Sequence, residues 1–258
     1  YLALKGYYNM SGLLGETAEA RETLKAMEEF KTAFNTVLWD GKGYRTAEYE
    51  GEYDDRGLAL AVVAGLASKD KYDELLTIFR SSYLASPYME KYVMEALFVM
   101  EEAEFGLERM KNRHRKMVDS PYTTLYENFG GGEDRAGTGT NNHAWSGGGL
   151  TILAQYVCGL YPIEPAWKTF MVKPQLGSLE FAETGNETMA GKVAVKVTKV
   201  KKGMDIELTV PAGSEAVVYV PVANKKVTID GEKVTSKEKD GDYSLYRVKG
   251  GEHEIRTR

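Results

Sequence analysis

Tyr161-Pro162-Ile163-Glu164-Pro165 is where the hydrophobic period of this chain changes, and the residues on its two sides decide the fold. Downstream, Val193, Val195 and Val197 alternate with Lys192, Ala194, Lys196 and Thr198. Ile206, Leu208 and Val210 alternate with Asp205, Glu207 and Thr209 in the same way. A period of two puts every second side chain on one face, the signature of half-buried strands. Further short strands are expected at 217–220, 227–229, 243–248 and 253–256. Between them stand the turn signals Lys202-Gly203, Pro211-Ala212-Gly213, Asp230-Gly231, Asp240-Gly241 and Gly250-Gly251. Short strands at this spacing predict an antiparallel β-sandwich.

Upstream the period is helical. Ala20, Leu24, Met27, Phe30, Phe34, Val37 and Leu38 recur at three- and four-residue steps, with Thr17 as the expected N-cap and Asp40-Gly41-Lys42-Gly43 as the stop. Leu58 to Leu66 is almost wholly apolar, which predicts a buried inner helix. Asp70 is expected to cap the next helix, with Tyr72, Leu75, Leu76 and Phe79 on its apolar side. Ser86-Pro87 opens another, a hydroxyl cap followed by proline at the first helical position. Beyond Gly106, a helix carries Leu107, Met110, Met117 and Val118 on one face and Lys111, Arg113, Arg115 and Lys116 on the other, read as a solvated surface. A last helix is predicted from His143 to Gly159.

Helices that alternate between apolar and amphipathic suggest hairpins arranged in an inner and an outer layer, the pattern of an α/α toroid. Only about six are visible, so a partial (α/α)6 toroid over 1–165 is expected, followed by the β-sandwich over 166–258. The junction is short and stiff, which predicts that the two pack together.

With 258 residues, 43% of them hydrophobic and 28% charged, the chain can hold one large domain or two. The net charge of −5 is dispersed and no basic stripe tracks phosphates, which argues against nucleic-acid binding. Cys158 is the single cysteine and lies in an apolar run, so it is read as a core residue. No apolar run is long enough to span a bilayer. Tyr1-Leu2-Ala3-Leu4-Lys5 reads as the middle of a helix, so the chain is expected to begin inside a longer protein.

Thr123-Thr124-Leu125-Tyr126-Glu127-Asn128-Phe129 carries the candidate chemistry, with His143 sixteen residues after Glu127 in Asn142-His143-Ala144-Trp145-Ser146. Sugar rings present apolar faces to aromatics and hydroxyls to carboxylates and imidazoles, so such residues should converge in a carbohydrate pocket. The same residue types fit a polar loop with Glu127 in a structural ion pair equally well.

The chain resembles the C-terminal portion of an inverting α-L-rhamnosidase, glycoside hydrolase family 78, of the six-hairpin glycosidase superfamily. Thr123-Thr124-Leu125-Tyr126-Glu127 and Asn142-His143-Ala144-Trp145 are the most specific pieces. Phe34 to Trp39, Ala59-Leu60-Ala61, Ser86 to Tyr92, Gly159-Leu160-Tyr161-Pro162 and Phe170 to Pro174 extend the resemblance over essentially the whole chain. It implies that Glu127 is the general base and that His143 contacts rhamnose. Tyr126 stands where tryptophan is usual, keeping an aromatic wall. Asn142 and Tyr88 are further candidate substrate contacts, with Ser86 beside Tyr88; Trp145 is read as packing, and Asp54-Asp55-Arg56 as a barrel-mouth or capping group. No cofactor or metal is expected.

The family's general acid lies in an acidic motif far upstream that no segment here matches; Glu133, Asp134 and Arg135 sit in a Gly-rich loop and lack its context. The chain is therefore expected to supply the base without the acid and to be inactive alone. A half-barrel would also leave an apolar face exposed, through which two copies could pair. For the full-length protein a periplasmic or secreted location is favoured. Alternative readings are another toroid exo-glycosidase, of fucosidase or glucuronidase type, and a non-catalytic carbohydrate-binding fragment. Phe181, Tyr219, Tyr243 and Tyr246, the aromatics past Phe170, are few for the last of these.

Overall fold

The computed structural model describes residues 1–131, 139–224 and 226–258. They form two compact units, Tyr1–Met100 and Glu101–Arg258. Among the described residues no helix is long and apolar enough to cross a membrane.

The first unit is helical: α1 (Leu2–Leu14), α2 (Thr17–Leu38), α3 (Asp55–Ala64), α4 (Tyr72–Ser81) and α5 (Pro87–Val99). α1 packs along α2, and α3 packs against α5 and α4. Gly15 ends α1 in the left-handed conformation, φ 77°, returning its N–H to the last carbonyls. α3 is buried, as its apolar sequence predicts, with Leu58, Ala59, Ala61 and Val62 all inside. Val93, Met94, Leu97 and Phe98 of α5 are buried too, each such side chain contributing roughly 1.5–3 kcal/mol. Two starts follow their local code. The Asp54 side chain accepts from the Arg56 N–H to cap α3, and the Ser86 hydroxyl accepts from the Met89 N–H ahead of Pro87 in α5.

Two other expected caps are not used. Thr17 is the first residue of α2, with Glu16 at the cap position, and Asp70 lies in a short 3-10 turn, so that Lys71 precedes α4. Asp40 does stop the second helix. Its Oδ1 accepts the Lys42 and Gly43 N–H groups at 3.0 and 3.1 Å, and its Oδ2 takes the Tyr53 hydroxyl at 2.7 Å.

The second unit begins with α6 (Ala103–Val118) and ends in strands. The single helix expected over 143–159 is broken into a 3-10 turn at Ala144–Gly147, α7 (Gly148–Ile152) and a π-helical turn at Leu153–Val157. Three successive glycines, 147–149, weaken its start, since glycine costs about 1 kcal/mol per helical position. Cys158 is buried, and burial pushes its thiol up to about 11.

The strands are β1 (Leu160–Pro162), β2 (Thr169–Val172), β3 (Phe181–Thr188), β4 (Gly191–Val200), β5 (Gly203–Pro221), β6 (Val227–Ile229), β7 (Glu232–Val234), β8 (Lys239–Asp240) and β9 (Tyr243–Thr257). They belong to one nine-stranded sheet, and it is mixed: β2 runs parallel to β5. The expectation of a wholly antiparallel arrangement is corrected here. The β3–β4 hairpin lies between β2 and β5 in sequence, so β5 returns alongside β2 in the same direction.

β5 and β9, 19 and 15 residues long, form the spine. Over 203–210 of β5 and 251–257 of β9 the order is β3-β4-β5-β9-β6-β7; over 215–221 and 243–249 it is β1-β2-β5-β9-β8. The register breaks between Val210 and Glu215, a bulge. Pro211-Ala212-Gly213 and Gly250-Gly251, both expected as turns, lie inside these two strands and face each other across the break. A Cβ on Gly250 would come within 2.9 Å of Ala212 Cα and of the Pro211 carbonyl oxygen, so only glycine fits there. The alternation itself is as expected: Val193, Val195, Val197, Ile206, Leu208 and Val210 are all buried.

Candidate functional site

The segment 124–127 is tied side by side to 140–143. The Glu127 N–H donates to the Thr140 carbonyl at 2.9 Å, the His143 N–H to the Leu125 carbonyl at 2.8 Å, and the Thr124 hydroxyl to the Asn141 carbonyl. From below, the Ser146 hydroxyl donates to the Tyr126 carbonyl, and Trp145 Nε1–H donates to the Glu127 carbonyl at 3.3 Å. The backbone at Glu127 is thereby held by two elements at once. Two left-handed residues flank the pair: Thr123, at φ 52°, and Gly139, at φ 119°. A Cβ at Gly139 would lie 2.4 Å from Asn128 Nδ2 and 3.3 Å from Glu127 Oε2, side-chain atoms that could shift, so it is the backbone angle of 119° that favours glycine here.

Glu127 and His143 meet. Glu127 Oε2 accepts the Thr140 N–H at 2.8 Å and lies 3.6 Å from His143 Nδ1. Thr140 Oγ1 stands between them, 3.4 Å from Glu127 Oε2 and 3.2 Å from His143 Nδ1. Both side chains remain partly open to solvent, 27% for the glutamate and 35% for the histidine. Among the described residues no lysine or arginine pairs with Glu127, and the side chain that faces it is the His143 imidazole. The Trp145 ring lies 4.3 Å from the His143 ring, centroid to centroid, and is 42% exposed. A half-open carboxylate, an imidazole and an exposed indole on one short stretch can bind a polyhydroxylated ring and move a proton at it.

The other expected site residues are placed differently. Asn142 is exposed beside His143, and its carbonyl is 3.4 Å from Thr140 Oγ1. Tyr126 is 1% exposed, with Tyr122 edge-on to its ring at 6.4 Å, and among the described residues its hydroxyl has no hydrogen-bond partner. In this chain it is buried instead of facing solvent as a wall of the pocket. Phe129 turns toward α6, where the Arg113 guanidinium stacks over it at 3.9 Å and His114 meets it edge-on at 5.4 Å. Arg113 is therefore half-buried on an aromatic ring, unlike its exposed neighbours Lys111, Arg115 and Lys116.

Tyr88 belongs to the first unit, 44% exposed at the start of α5, where it meets Tyr92 at 6.1 Å; Ser86 is spent as the cap. Asp54 caps α3 and pairs with Arg56 at 2.6 Å, while Asp55 is fully buried. Glu133, Asp134 and Arg135 lie outside the described residues. Among the described residues no group of three or more His, Cys, Asp or Glu side chains is arranged to hold a metal.

One residue between Glu127 and His143 was not singled out in the sequence. Thr140 carries no motif of its own; its only signal is its position three residues before His143. Trp145, expected as packing, is 42% exposed beside the His143 ring, and its Nε1–H donates to the Glu127 carbonyl.

Residues 159–235 match the bacterial alpha-L-rhamnosidase C-terminal domain family. No curated protein sequence matches the chain. Among solved structures, the α-L-rhamnosidase from Dictyoglumus thermophilum superposes on 97% of this chain with a TM-score of 0.78 at 21% identity. The Streptomyces avermitilis α-L-rhamnosidase, complexed with L-rhamnose, covers 96% with a TM-score of 0.76 at 16% identity. The Aspergillus terreus α-L-rhamnosidase covers 96% with a TM-score of 0.71 at 20% identity. This chain spans 30%, 25% and 28% of those three proteins.

Proposed function

Starting from a chain that has the fold of the C-terminal portion of α-L-rhamnosidases, we propose that its parent protein is an inverting hydrolase of family 78 that releases terminal α-L-rhamnose. The observation that carries the reading is the Glu127–Thr140–His143 cluster, a carboxylate oriented by a backbone N–H at 2.8 Å and left partly open beside an imidazole. In an inverting enzyme the two carboxyl groups stand roughly 6.5–9.5 Å apart so that water fits between the base and the sugar. Glu127, as carboxylate, takes the proton of that water while it attacks the anomeric carbon. The general acid that protonates the leaving oxygen comes from outside this chain. His143 binds a hydroxyl of the sugar, and Asn142 is a further contact.

In the same reading, 1–165 completes an (α/α)6 toroid together with another segment, and 166–258 is a β-sandwich wrapped around the β5–β9 spine. The chain alone then binds sugar weakly and does not hydrolyse it. The stereochemistry of the product tests the mechanism. Following an aryl α-L-rhamnoside by NMR with the full-length protein should show β-L-rhamnose as the first-formed anomer. First-formed α-anomer, or no cleavage of rhamnosides of any linkage, would remove the proposal.

A further inference from the structure

The position of Thr140 bears on which nitrogen of His143 carries the proton. Two groups face His143 Nδ1, Thr140 Oγ1 at 3.2 Å and Glu127 Oε2 at 3.6 Å, and the Asn142 carbonyl lies 3.4 Å from that same hydroxyl. The carboxylate and the carbonyl can only accept. The threonine hydroxyl has a single proton to give. If Nδ1 carried a lone pair, the hydroxyl would have to turn to it, and the lone pair would face the carboxylate. If Nδ1 carries hydrogen, it donates into the hydroxyl oxygen, and the hydroxyl passes its own proton to Glu127 Oε2 at 3.4 Å or to the Asn142 carbonyl. The second arrangement puts a hydrogen between Nδ1 and the oxygens that face it, whereas the first sets the ring lone pair against the carboxylate.

We propose that Thr140 is a positioning residue that holds neutral His143 as its Nδ1–H tautomer, leaving Nε2 as a hydrogen-bond acceptor. The backbone N–H of Thr140 fixes Glu127 Oε2, and its hydroxyl orders the imidazole beside it, so one residue aligns both functional groups. The Trp145 ring, 4.3 Å from the imidazole, restrains the ring plane. A ligand group at Nε2 must then be a donor. Resting on the rhamnosidase reading, that donor is a sugar hydroxyl, and a ligand with an ether or carbonyl oxygen at the same place is refused, because two acceptors would meet.

Long-range proton–nitrogen correlation spectra of this chain, above the pH at which imidazole is neutral, read the tautomer directly. His114, His143 and His253 are its only histidines, and His143→Gln assigns the signals. The wild type and Thr140→Ser should show His143 with its proton on Nδ1. Thr140→Val, which keeps the backbone N–H but removes the hydroxyl, should shift the population toward Nε2–H. An Nε2–H signal in the wild type, or a Thr140→Val spectrum identical to the wild type, overturns the proposal. If the valine variant does not fold, the wild-type tautomer alone decides. No substrate enters this measurement, so its failure leaves the hydrolase reading intact, and an inactive parent protein leaves the tautomer assignment intact.

Discussion

His253 Nδ1 lies 2.8 Å from Asp230 Oδ2, while its Nε2 lies 2.6 Å from the Lys249 carbonyl oxygen. Both partners are acceptors, so both ring nitrogens must donate, and this geometry is that of an imidazolium. Asp230 also accepts the Glu254 N–H at 2.8 Å, so the cation ties the β6–β7 turn to β9 next to the glycines of the bulge.

The titration of His253 follows. Desolvation, the largest single influence, pulls its pKa down, but the hydrogen bonds to Asp230 and the Lys249 carbonyl, together with the charges of Asp230 and Glu252, outweigh it and leave the value raised above 6.5. A raised folded-state value means that the stabilisation is fully present below about 6.5 and disappears as pH rises through the folded-state value. The urea midpoint of the wild type should therefore exceed that of His253→Gln at about pH 5.5 and approach it at about pH 9. A gap of constant size across that range would show that His253 acts only through packing.

Two glycines with positive φ separate strain from collision. Gly213, at φ 84° in the bulge, has open space around the place of a Cβ, so Gly213→Ala should cost only the left-handed penalty of about 1–2 kcal/mol. Gly159, at φ 73°, would set a Cβ 2.1 Å from the Lys173 carbonyl carbon and 2.4 Å from Pro174 N, both backbone. Gly159→Ala should lose on the order of 3–5 kcal/mol, because β1 and β2 must part to admit the methyl group. Denaturant unfolding of both variants checks the ranking, and equal losses would contradict it.

The isolated chain is expected to pair with a second copy. On α1, Leu13 is 81% exposed, Leu14 74% and Met10 59%, apolar area that water does not favour. Sedimentation of the wild type should give a dimer, and Leu13→Lys combined with Leu14→Lys a monomer. A wild-type monomer at all concentrations would contradict this.

What was legible in the sequence was local. Ser86-Pro87 caps α5 because a hydroxyl and a fixed φ act within one turn, and Val193 to Val197 form a strand because alternation needs no distant partner. What was not legible depended on residues far along the chain. Pro211-Ala212-Gly213 carries the chemistry of a turn, and only pairing with Gly250-Gly251, some forty residues later, makes it a bulge. In the same way Glu127 and His143 were paired by motif, while the burial of Tyr126 and the bridging hydroxyl of Thr140 arise from how 124–127 lies against 140–143. The apolar pattern of 150–160 favours one helix, but the glycines at 147–149 break its start into a 3-10 turn and a short helix.

The central claim is that the Glu127 carboxylate takes the proton of the attacking water. Replacing it by glutamine keeps the size and an oxygen for the Thr140 N–H but removes the base. In the full-length protein, kcat of Glu127→Gln on an aryl α-L-rhamnoside should fall by about 10²–10⁴-fold with little change in thermal stability. Turnover within a few-fold of the wild type would contradict the account.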